Sequence, residues 1–378
     1  MPEAARRFPV AVGLALSISM GCGAGSPHPA GLPPPGMAPP GMAPPGPAGP
    51  PSPQEADWFI KQTSEEYAKL ESNVERAGWV KETFITDDTE KIESQAQERL
   101  MEFVARKIHE ARRFEGLSLP PDVARQLYIL KYSAGLPAPA DPAERAELAE
   151  TASKLSGMYG KGKYCSPKLK GLGKEKGSEC LPLEDLSAIL ATKRDYDLLL
   201  EAWRGWHSIA KPMRPLYQRM IELGNKGASE IGFKDVSEIW TGQYDMSPEQ
   251  FREEMTRLWN EVRPLYEQLH CYARAKLRKQ YGEAKIPKGK APIPAHLLGN
   301  MWAQEWGKLY PLLEPYKGKG QPDITKALVA KKYDAKKMVE LGERFFVSLG
   351  LDALPKTFWE RSMFTKPRDR DVVCHAST

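Results

Sequence analysis

The chain has 378 residues, enough for one large domain or two modest ones, and its 41% hydrophobic and 27% charged content excludes a chain disordered throughout. Its 54 Lys and Arg are interspersed with 49 Asp and Glu, for a formal net charge of +5. No basic stripe results, so nucleic acid is not an expected partner.

Residues 1–22 read as a lipoprotein-type signal peptide. Arg6 and Arg7 supply the positive end, residues 10–20 the apolar run, and Gly21 a small residue before Cys22. Cys22 is then the lipidated first residue of an exported, membrane-anchored lipoprotein of the periplasm or cell envelope. A plain secretory signal and an uncleaved anchor stay open, although the apolar run is shorter than the ~20 residues a spanning helix needs. Residues 23–55 follow as a Pro/Gly-rich tether, in which Pro35-Gly36-Met37-Ala38-Pro39 recurs as Pro40-Gly41-Met42-Ala43-Pro44. Its period of five excludes collagen, and its proline keeps the chain extended and solvated.

From Ala56 the pattern is helical almost throughout. Trp58, Tyr67, Leu70, Val74 and Trp79 recur at three-to-four spacing and predict a first amphipathic helix. Further helices are expected at about Thr89 to Arg113, Pro121 to Ala134 and Pro142 to Gly157. A long one over Thr192 to Gly224 should be kinked by Pro212 and Pro215, and another should cover Pro248 to Tyr281. Between them Trp240-Thr241-Gly242-Gln243-Tyr244 reads as a loop. A helix should open near Ala295, with later ones over Ile324 to Ala330, Ala335 to Gly350 and Thr357 to Met363. Only Val372 to Ser377 carries a strand signature. Without alternating strands and helices, the fold class is mainly α.

Gly160-Lys161-Gly162-Lys163 and Gly171-Leu172-Gly173-Lys174 superficially suggest phosphate loops, but neither completes the Gly-x-x-x-x-Gly-Lys-Ser/Thr pattern, and both read as solvated basic loops. Trp203, Trp206, Trp259, Trp302 and Trp306 read as mostly core, not as a base-stacking platform, and Cys271 as an unpaired helical thiol. A helical zinc site needs two His four residues apart with Glu between them. Of the six histidines only His109 is followed by Glu, and His109-Glu110-Ala111-Arg112-Arg113 has Arg in the second ligand's place. His109 therefore reads as part of a solvated helix face.

Three segments carry a resemblance: Pro292-Ile293-Pro294-Ala295-His296-Leu297-Leu298-Gly299-Asn300-Met301-Trp302-Ala303-Gln304, then Phe345-Phe346-Val347-Ser348-Leu349-Gly350-Leu351, and the closing Val373-Cys374-His375-Ala376-Ser377. They resemble the angiotensin-converting enzyme family, zinc peptidyl-dipeptidases of peptidase family M2, over roughly residues 56–378. The resemblance implies a large helical ellipsoid with a deep central groove, of which this chain would be the N-terminal portion. It implies an exported zinc metallopeptidase that removes C-terminal dipeptides from peptides, with zinc held by a His-Glu-x-x-His helix. That motif does not occur here, so the chain is expected to hold no zinc ligands and to be inactive alone. A downstream second half of the domain is the partner this implies. The alternative is a non-catalytic peptide-binding lipoprotein derived from the family.

The resemblance also implies roles for single residues. Gln304, placed about one turn into the Ala295 helix, would bind the free C-terminal carboxylate of a peptide substrate; alone it would read as a surface Gln. His375 and Ala376 would contact the substrate from a strand beside the zinc, although the family pattern is left at Thr378. Tyr244 would contact an activating chloride, against the plainer reading of a satisfied buried phenol. A second chloride site has Arg after Trp-x-Gly-Trp in one family domain type, where this chain has His207. Cys165 and Cys180 would form a disulfide, and the partner of Cys374 would lie past Thr378.

Overall fold

A computed structural model describes residues 50–373 except 176, 290, 317 and 319–322. Cys22 and most of the tether, together with Cys374, His375 and Ala376, lie outside the described residues. Two compact units emerge: residues 50–153, 219–245 and 333–373 form one, and residues 154–218 and 246–332 the other.

The first unit begins with α1 (Pro53–Thr83). The Ser52 hydroxyl accepts the Glu55 N–H at 3.2 Å, and Pro53 occupies the first turn, where its missing N–H costs nothing. The helix therefore starts inside the stretch assigned to the tether, whose expected end at residue 55 is corrected. A short turn leads to α2 (Asp87–Ala111), opened by a reciprocal cap between Thr86 and Thr89. With α3 (Pro121–Tyr132) and α8 (Val236–Gly242), these helices bury Phe59, Ile60, Phe103, Phe114, Leu130 and Ile239 in one core. The expected loop over Trp240 to Tyr244 is corrected in its first half. Asp235 accepts the N–H groups of Ser237 and Glu238, and the helix it caps runs on through Gly242.

α4 (Pro142–Gly160) agrees with its expected span. The expected single helix over Thr192 to Gly224 is two helices, α6 (Tyr196–His207) and α7 (Ala210–Glu230), preceded by α5 (Leu183–Thr192). A continuous helix would drive the Pro212 ring into the Ser208 carbonyl. Instead the chain turns there, with the Ile209 N–H on Trp206 O at 3.1 Å, and Pro212 falls in the first turn of α7. Pro215 lies inside α7 without ending it.

The second unit contains a feature the sequence reading missed, an antiparallel hairpin of β1 (Lys163–Cys165) and β2 (Cys180–Pro182) with Cys165 opposite Cys180. Tyr164 of this hairpin lies against Gly205, where any Cβ would come 2.1 Å from the ring, so only glycine admits it. The unit's core joins Leu186, Leu199, Trp206, Leu277, Leu297 and Met301. α9 (Pro248–Tyr281) spans its expected range, with a reciprocal Ser247–Gln250 cap and Pro248 at its start. Leu258, Trp259, Val262, Leu265, Tyr266 and Leu269 of α9 are exposed.

A short α10 (Tyr310–Leu313) precedes α11 (Ile324–Ala330), which agrees with expectation. α12 (Ala335–Ser348) and α13 (Lys356–Arg361) fall within two residues of it. Val372 and Val373, the described start of the expected strand, form no regular ladder. The Ile85 N–H donates to Asp371 O at 3.0 Å and the Val373 N–H to Glu82 O at 2.9 Å, so the segment is pinned to a helix end and a turn. None of the described helices is long and apolar enough to cross a membrane.

Candidate functional site

The segment around Gln304 is built from irregular backbone on a buried footing. Only Ala295–Leu297 form a 3-10 turn, so the placement of Gln304 on a helix is corrected. Leu297, Leu298 and Met301 are buried at helix-like spacing, but Gly299 at φ 78° and Ala303 at φ 55° interrupt any helix. A Cβ on Gly299 would also stand 3.0 Å from Lys308 Cβ. For Ala303 the left-handed conformation costs about 1–2 kcal/mol, which the surroundings must offset.

Several hydrogen bonds do so. The Trp203 indole N–H donates to Met301 O at 3.0 Å, and the Trp306 indole N–H to Ala303 O at 3.3 Å. Asn300 Oδ1 accepts the Trp302 N–H at 2.8 Å, and the Ala303 N–H reaches Asn300 O at 3.2 Å. Gln304 follows on the exposed side of this turn. Its amide offers two N–H donors and one acceptor without a net charge, which suits orienting a carboxylate.

His296 lies in the same segment, 4% exposed, edge-on to the Tyr196 ring at 4.6 Å. Its Nε2 is buried without a hydrogen-bond partner. Burial, then the charges of Arg204 and Lys285, push its pKa down to about 4, so the imidazole is neutral at pH 7. In the sequence, the apolar neighbours Leu297 and Leu298 are the local sign that His296 is buried. His207 turns Nδ1 to the Trp203 carbonyl at 2.8 Å and packs its ring 4.2 Å from that indole.

Tyr244 belongs to the other unit. Its N–H reaches Thr241 O at 3.2 Å, and its side chain is 61% exposed, which corrects the plainer reading of a buried phenol. The next residue, Asp245, sits at φ 57° and takes two hydrogen bonds from the Arg125 guanidinium. That contact holds the Asp245 carboxyl below the usual carboxylate range.

Cys165 and Cys180 are joined in a disulfide, while Cys271 on α9 is free and exposed. His109 stands exposed near the end of α2. At the corner between α1 and α2, the Lys81 ammonium pairs with Glu93, which also accepts the Ser153 hydroxyl. Burial pushes the neighbouring Glu82 carboxyl up to about 7; Lys81 opposes the rise, and Glu93 and Glu75 add to it.

Residues 51–378 match the family described as Angiotensin-converting enzyme, Peptidase_M2. The angiotensin-converting enzyme of Sus scrofa is 44% identical over 239 residues, 62% of this chain and 18% of that protein. That of the leech Theromyzon tessulatum is 44% identical over 227 residues, 60% of this chain and 36% of the relative. The mouse enzyme is 35% identical over 321 residues, 83% and 24% respectively. The match thus spans about a fifth of the mammalian relatives' length and about a third of the leech protein's.

Proposed function

The chain belongs to the angiotensin-converting enzyme family, and on that premise we propose that it forms the substrate-carboxylate side of an exported zinc peptidase that releases dipeptides from peptide C-termini. Among the described residues no three His, Cys, Asp or Glu side chains come together as a metal site. What these residues do is bind. Gln304 donates an amide N–H to the C-terminal carboxylate of the peptide and sets its register. The observation that carries this reading is the exposed Gln304 amide on a backbone turn fixed by two indole donors.

In the same reading His375 and Ala376 contact the peptide chain and Tyr244 contacts chloride. The disulfide supports an oxidising compartment, and lipidated Cys22 attaches the protein to a membrane. The exposed apolar face of α9 supports cover by further polypeptide of the same family domain.

Titration calorimetry of the full chain with a tripeptide and its C-terminal amide tests the carboxylate role. Tighter binding of the acid, with the difference abolished by Gln304→Ala, supports it. A hydrogen bond to a charged group contributes about 1.5–3 kcal/mol, roughly ten- to a hundredfold. Equal binding of acid and amide by the wild type would show that Gln304 has no such role.

A further inference from the structure

Gln304 has no helix to hold it, so its direction depends on the turn beneath it. That turn contains Ala303, a residue with a Cβ in the left-handed region at φ 55°. Such backbone persists only where its neighbours over-determine it. The donor furthest away in sequence is Trp203 on α6, whose indole N–H ends on the carbonyl of buried Met301 at 3.0 Å. The indole is itself fixed. Asp195 caps α6, and the His207 ring packs 4.2 Å from Trp203 while its Nδ1 bonds the Trp203 carbonyl.

We propose that Trp203 is a positioning residue for carboxylate recognition: its indole N–H locks the Met301 carbonyl and thereby aims the Gln304 amide at the peptide's C-terminus. The inference rests on the carboxylate reading of Gln304 given above. Without the N–H, the Met301 carbonyl loses its partner and Ala303 relaxes toward the extended region. That rotation turns residue 304 away from its present direction. Nothing in this requires Trp203 to touch substrate.

The test uses the full chain with Trp203→Phe, and also with benzothienylalanine at position 203, which keeps the shape of indole and lacks the donor. Amide hydrogen exchange at Trp302 and Ala303 should quicken at least tenfold in both, with exchange across α9 unchanged. The preference for a tripeptide acid over its amide should fall about tenfold in both. In Gln304→Ala, where that preference is already gone, adding either change should have no further effect on it. A role in packing alone would be met by benzothienylalanine, so wild-type exchange and wild-type preference in that variant would overturn the positioning role even if Trp203→Phe fails to fold. Preference lost in Gln304→Ala but kept in both Trp203 variants would also overturn it, and would leave the Gln304 reading standing. A wild type that does not distinguish acid from amide would overturn the Gln304 reading and this one with it, whereas quickened exchange would still locate the lock.

Discussion

Lys81 Nζ stands 3.2 Å from Glu93 Oε1, with side chains only 1% and 10% exposed, and ties the end of α1 to the body of α2. A pair this deep is costly to break from one side, because the remaining charge keeps its desolvation penalty. Lys81→Met should therefore lower stability by about 3–5 kcal/mol, whereas Lys81→Met with Glu93→Leu should lose much less. Urea denaturation of the two variants checks this. Equal losses would mean that the lysine matters for its packing and not for its charge.

Glu82 gives the same corner a pH dependence. Its carboxyl has a folded-state pKa of about 7, raised above the ordinary value of 4.5, so folding takes up a proton between those limits. The stability this contributes is fully present below about pH 4.5 and is lost as pH rises through about 7. Glu82→Gln should match the wild type near pH 4 and exceed it by up to about 3 kcal/mol at pH 8, at 1.36 kcal/mol per pKa unit. Melting temperatures of both proteins across this range decide the matter. Curves that stay parallel would contradict the assignment.

The Cys165–Cys180 disulfide closes a loop with a sequence separation of 15 residues, across strands of three residues each. Strands so short form no independent sheet. Removing the crosslink in a Cys165→Ser, Cys180→Ser protein should cost about 3 kcal/mol by the chain-entropy estimate. Denaturant unfolding measures the loss, and peptide mapping without reductant should recover the two cysteines joined.

Most helices were legible because they announce themselves locally. α9 has Ser247, Pro248 and Gln250 at its head and Gly282 at φ 86° just past its end, so its span was readable. Ser52-Pro53 is the same kind of signal, obscured by the proline-rich sequence before it. The hairpin was not legible, because Lys163–Cys165 and Cys180–Pro182 are too short to show alternation. Gln304 was misplaced because Leu297, Leu298 and Met301 mimic helical spacing, while the left-handed turn at Ala303 has no sequence signature of its own. The Trp203–Met301 hydrogen bond joins residues far apart in the chain, so no local pattern reports it.

Gln304→Glu tests most directly whether Gln304 meets a peptide's terminal carboxylate, since the change keeps the side chain's shape and replaces the donor amide with a negative charge. We expect the affinities for a tripeptide and its C-terminal amide, measured side by side by calorimetry, to reverse in order, with the acid bound more weakly than the amide by tenfold or more. An unchanged preference for the acid in Gln304→Glu would show that Gln304 does not meet the carboxylate.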